Sequence, residues 1–130
     1  MSNNKLLWLK RILAVKVVLC FFFWGLPSLL APLSLFKNLG IPTAEDPFYQ
    51  MSLGAIVIAF GVAYWYAFKD PVHNIAIVKV GIVDNGLATL VTLYFVLFRD
   101  LRSILMLISG LLTLIFFLSF ILLIPRPETA

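Results

Sequence analysis

Residues 103–124 read SILMLISGLLTLIFFLSFILLI, 22 positions without a charged side chain. About 20 apolar residues cross the roughly 30 Å hydrocarbon layer of a bilayer as a helix. The run is apolar on every side, with none of the alternation that a lipid-facing barrel strand needs. With no water to pair loose amides, a helix is the remaining solution. Three further runs lie upstream. Residues 75–98 carry only Lys79 and Asp84, residues 48–68 carry no charge over 21 positions, and residues 12–36 carry only Lys16. Each is long enough to cross once and too short to cross twice.

Composition agrees with this pattern. Of 130 residues, 62% are hydrophobic and 12% charged, and the mean hydropathy is +1.06. So few charges cannot coat a small body, whose surface is large for its volume. This excludes an ordinary soluble enzyme, a disordered tail and a nucleic-acid-binding domain. The net charge of +4 forms no stripe; basic residues sit at the ends of apolar runs, as in chains oriented by a bilayer. The expectation is an all-α, antiparallel four-helix membrane bundle forming a single domain over residues 1–130.

The connectors are short, so consecutive helices are antiparallel neighbours. Residues 37–47 contain Asn38, Gly40 and Pro42, and Asp46-Pro47 suits an N-cap followed by a first-turn proline. Residues 69–74 and 99–102 are tight turns, and Pro125 and Pro127 end the last helix. The basic N-terminus (Lys5, Lys10, Arg11) before an apolar stretch resembles a signal peptide. The stretch is too long and has no clear cleavage site, and is read as a retained first span. Placing both termini in the cytoplasm leaves seven basic residues on that side against three on the other. The positive-inside rule favours this orientation, with a bacterial cytoplasmic membrane as the expected location.

Gly25, Pro27 and Pro32 interrupt the first span. Proline removes an amide donor and clashes with the preceding turn, so the helix is expected to kink near Pro27, or to end there and leave residues 28–36 as a second short segment. Trp24 is read as marking one interface, and Trp65 with Tyr66 the other. Gly54 and Gly61 share a face of the second span, with Ala55, Ala59 and Ala63 on a nearby one. Small residues let helices approach closely in lipid. This face serves either packing within the bundle or a dimer or partner interface.

Three charges lie inside the apolar runs. Lys16 and Lys79 are each roughly 6 Å from a span end, within snorkelling reach of headgroups. Asp84 lies about 13–14 Å deep, where a charge costs at least roughly 2.5–3.5 kcal/mol. It is expected to face the interior, neutral or paired with Lys16. Asn85 follows it, and Ser109, Thr113 and Cys20 fall at similar depth, so a cluster of Asp84, Asn85 and Thr113 is geometrically possible. The alternative is a polar group that only fixes helix packing. Cys20, the one cysteine, forms no intramolecular disulfide. His73, the one histidine, is read as a solvated turn residue, since metal or haem ligation needs a second ligand. No catalytic set, metal site or phosphate loop appears.

Trp24-Gly25-Leu26-Pro27 through Pro32, then Gly40-Ile41-Pro42, then Gly54 through Gly61 to Tyr64 closing at Lys69-Asp70-Pro71, resembles the DoxX-like superfamily and its small BphX-like membrane proteins. The resemblance implies a four-helix membrane fold, and for some relatives a membrane subunit of an oxidoreductase system that delivers electrons to quinone. It brings no catalytic residues. The expected role is a non-catalytic accessory or anchor subunit, without cofactor, packed against other membrane subunits or its own copies. Two alternatives stand beside it. A quinone-interacting subunit would place Asp84, Tyr64 or His73 on a pocket open to lipid. A small-solute or proton carrier would have a watered path to Asp84.

Overall fold

The computed structural model describes residues 3–125. Arg126 and Pro127 lie outside the described residues. Every regular element among them is helical: α1 (Asn3–Val18), a π-helical turn (Leu19–Gly25), α2 (Leu26–Leu30), α3 (Leu33–Asn38), α4 (Pro47–Lys69), α5 (Ile75–Phe98) and α6 (Ile104–Leu123). Among the described residues, four stretches are long and apolar enough to cross a membrane: Asn3–Leu30, α4, α5 and α6. Their outer faces are apolar, with Phe22, Leu30, Phe98 and Leu122 each about 70% exposed. Water does not tolerate an apolar surface of that extent, whereas lipid does. The chain is an integral membrane four-helix bundle.

The first span begins at Asn3, well before Ile12, and stays helical through Pro27. The π-helical turn explains the continuity. Proline clashes with the carbonyl four residues back, and here the Leu26 N–H reaches Phe21 O, five residues back. The widened turn absorbs the proline. The break comes at Pro32 instead, after an extended Ala31 (ψ 142°), the conformation favoured before proline. Pro32 has no N–H for the Ser28 carbonyl. Gln50 on α4 supplies one, its Nε2 donating to Ser28 O (3.2 Å) and Ala31 O (3.1 Å). Asp46 caps α4 as its sequence suggests, accepting from Phe48 N at 2.8 Å.

Helices α5 and α6 pack along their length, the first span packs on α4 and α6, and α4 packs only lightly on α5. Gly54 sits against the first span's backbone, where an added Cβ would stand 2.6 Å from Leu29 N and 2.9 Å from Gly25 O. Gly61 sits against Cys20 and Phe21. The small-residue face thus divides. Gly54 and Gly61 pack the bundle, while Ala55 and Ala59 are exposed and Ala63 is half-buried.

The fully buried side chains Leu9, Leu13, Tyr64, Ala67, Val78 and Phe120 all lie toward the end carrying Asn3 and Leu123, here the terminal end. Tyr64 and Phe120 stack there with ring centroids 6.0 Å apart. At the opposite, distal end, Ser103 Oγ donates to Leu39 O (3.3 Å), which ties the two distal connectors together. Gly40 (φ 67°) and Asp100 (φ 52°) form their tight turns.

Candidate functional site

Lys16 is 4% exposed and points into the bundle. The snorkelling expectation fails for it because the helix starts at Asn3, which puts Lys16 mid-span rather than near a helix end. Its Nζ donates to Asn85 Oδ1 at 2.6 Å and stands 3.9 Å from Asp84 Oδ2. The expected Lys16–Asp84 pairing is present, with Asn85 as the closer partner. Three rings surround the amino group: Trp24 at 4.9 Å, Phe116 at 4.9 Å and Tyr64 at 5.5 Å to the centroids. Such faces attract a cation, most strongly when it is desolvated. Lys79 is exposed, as its interfacial reading requires.

Asn85 is wholly buried, and its amide is fully used. Oδ1 accepts from Lys16, while Nδ2 donates to Gly81 O (2.6 Å) and Tyr64 Oη (3.5 Å). Tyr64 Oη in turn donates to Asp84 Oδ2 at 3.1 Å. Gly81 is small because Tyr64 and Phe120 press on it; a Cβ there would meet their ring carbons at about 3.0 Å. Thr113 joins only at one remove. Thr89 Oγ1 lies 2.8 Å from Asn85 O and 3.1 Å from Thr113 Oγ1, and Thr113 donates to Gly110 O at 2.8 Å. Every span therefore contributes a side chain to one connected polar cluster at mid-depth. Such a cluster is costly to bury unless its members pair; here they do, with Lys16 and Asn85 deeply buried and the Asp84 side chain 35% exposed, only partly turned to the interior.

Above the cluster, toward the distal end, the bundle opens into a cavity of about 570 Å³. Lys16 and Asp84 reach it at the inner end, Thr113 and Ser109 lie on it further toward the distal end, and Phe23, Val57, Phe60 and Met106 are among its apolar walls. Leu39 and residues 41–44 line its far end. This size is typical of sites for one small molecule, which are mostly apolar with a few placed polar groups. Trp24 is no interface marker: its Nε1 donates to Ser109 Oγ at 2.7 Å, joining the first span to α6 across the cavity wall. Gln50 also lines the cavity, and its Oε1 is buried without a partner among the described residues.

Sequence reasoning placed Asp84, Asn85, Lys16 and Thr113 at the site. It named Tyr64 only as a pocket candidate, whereas Tyr64 lies beneath the cavity and bonds Asp84. It missed Thr89, Gln50 and the Trp24–Ser109 bond. The i, i+4 spacing of Asn85 and Thr89 was the one available signal for Thr89, since both then share a helix face. His73 is in the terminal-end turn, with Nδ1 2.7 Å from Asp70 Oδ2, away from the cavity. The His73 backbone N–H, reinforced by its side chain, holds the Asp70 carboxyl below its ordinary value. No group of three or more His, Cys, Asp or Glu residues that could hold a metal occurs among the described residues. Comparison of the chain with family models, curated proteins and solved structures finds no match.

Proposed function

We propose that this protein is a non-catalytic membrane subunit that holds a small lipid-soluble molecule in the distal half of its bundle. The observation that carries the reading is the cavity of about 570 Å³ ending on the Lys16–Asp84 pair. A pure anchor needs only close packing, and a void lined by a buried lysine is poor packing. Quinones, which the DoxX-like resemblance implies for some relatives, are of suitable size and solubility. The packed terminal half favours a site open toward one end over a through-path for solute or protons. The excess of basic residues toward the terminal end supports cytoplasmic termini and, for a bacterial chain, the cytoplasmic membrane.

The test is purification of the full chain in a mild detergent, with organic extraction and mass spectrometry of what remains bound. A recurrent small molecule, lost in a Lys16→Met variant, is the expected result. Protein that retains nothing, and whose thermal midpoint no lipid-soluble compound raises, would overturn the reading. The exposed Ala55 and Ala59 on α4 favour a second, compatible reading, attachment of another membrane helix to that face. Its test is crosslinking in native membranes: a product lost in Ala55→Leu/Ala59→Leu supports it, and an unchanged pattern opposes it.

A further inference from the structure

We infer that the cavity is built for a single-chain amphiphile whose head is a carboxylic acid or a primary carboxamide, lodged between Lys16 and Asp84. The inference rests on the binding reading above and names its ligand class. It follows from the hydrogen-bonding capacity left over at the inner end of the cavity. A lysine amino group has more N–H donors than the one spent on Asn85 Oδ1 at 2.6 Å; Asp84 Oδ2 at 3.9 Å is beyond hydrogen-bond length. Asp84 makes its contacts through Oδ2, and its Oδ1 has no partner among the described residues. The inner end of the cavity thus offers donors from Lys16 beside one acceptor on Asp84.

A head that complements this set carries an acceptor and a donor on the same carbon. In a carboxylic acid the C=O would accept from Lys16 and the O–H would donate to Asp84. A primary amide does the same with its N–H. A quinone offers acceptors only, and would set a carbonyl oxygen against Asp84 Oδ1. A quaternary ammonium offers neither donor nor acceptor. The walls beyond the head carry apolar side chains such as Phe23, Val57, Phe60 and Met106. Along the first span from Lys16 to Ala31, both on the cavity, the distance is roughly 22 Å, enough for one long aliphatic chain. Below the head, Leu13, Tyr64 and Phe116 close the bundle, all 2% exposed or less. The head therefore points inward and the tail toward Leu39 and residues 41–44.

The experiment uses the full chain in phosphatidylcholine nanodiscs and a photoactivatable dodecanoic acid, with crosslinks mapped by peptide. Saturable labelling of cavity residues is expected. Dodecanoic acid and dodecanamide should displace it at least tenfold better than dodecyltrimethylammonium or a short-chain benzoquinone. Relative strength of the acid and the amide tells which head the site prefers. Lys16→Met should weaken displacement by the acid about tenfold, the effect of one lost hydrogen bond to a charged group. Asp84→Ala, which removes the acceptor and leaves the Lys16–Asn85 bond in place, should weaken it severalfold and guards against a Lys16→Met variant that does not fold. Equal displacement by all four compounds, or no change in Asp84→Ala and a folded Lys16→Met, would overturn the ligand class. Displacement by the quinone alone would reject this class and keep the binding reading. Absence of any saturable cavity label would remove both.

Discussion

The two halves of this bundle have the same kind of composition and behave differently. In the terminal half, Leu9, Leu13, Tyr64, Val78 and Phe120 are wholly buried and the aromatic rings stack. In the distal half the helices part around a cavity of about 570 Å³. The polar cluster of Lys16, Tyr64, Asp84 and Asn85 lies on the boundary. Lipid tails are as apolar as leucine, so burying apolar surface does not by itself draw membrane helices together. Where small residues and stacked rings permit close contact the helices meet. Where the chain breaks at Pro32 and polar groups need company, they leave room.

The largest difference between the halves should appear on removing an aromatic ring. Phe120→Ala should cost about 3–5 kcal/mol, as for other buried phenylalanines, measured by equilibrium unfolding in mixed micelles. Phe36→Ala, on the cavity, should cost under about 1 kcal/mol. Equal costs would break the comparison. At the boundary, Asn85→Leu should cost about 1–3 kcal/mol by leaving the buried Lys16 amino group without its hydrogen-bond acceptor. A double-mutant cycle of Lys16→Met with Asn85→Leu should show coupling of at least about 0.5 kcal/mol; additive costs would dissolve the cluster as a unit.

Gln50→Leu probes the edge of the open half. It removes the donor from the Ser28 and Ala31 carbonyls and should cost about 1–2 kcal/mol. A neutral outcome would mean that the Pro32 break needs no support from α4. The smallest effect lies in the turn after α4. A carboxyl held below its ordinary value adds stability that is present above its unfolded pKa, near about 3.9, and is lost as pH falls through the folded value. Asp70→Asn should therefore lower the thermal midpoint slightly at neutral pH, leave it unchanged in acid, and so flatten the acid limb of the midpoint against pH.

Much of the fold was legible because a membrane sets lengths. The long apolar runs marked four spans, and Asp46-Pro47 marked a helix start. The depth of Asp84 and the basic nature of Lys16 were enough to suggest their pairing. Other features were hidden for a physical reason. Spans that are apolar all round do not declare which face turns inward, so Ala55 and Ala59 looked like partners of Gly54 and Gly61 although they point outward. Lys16 looked interfacial because apolar composition begins at Ile12, while the helix also takes in Lys5, Lys10 and Arg11. The π-helical turn that carries the chain through Pro27 depends on backbone bonds that no composition reveals. The Trp24–Ser109 and Gln50–Ser28 bonds join residues distant in sequence, and only tertiary contact creates them.

The most direct test of an open distal half over a sealed terminal half is thiol labelling. In a Cys20→Ser background, single cysteines at Ser109→Cys, on the cavity, and Val78→Cys, in the packed half, are exposed to N-ethylmaleimide in native membranes. The cavity position should label at least tenfold faster. Comparable rates at the two positions, in protein that is otherwise folded, would contradict the division on which the binding site depends.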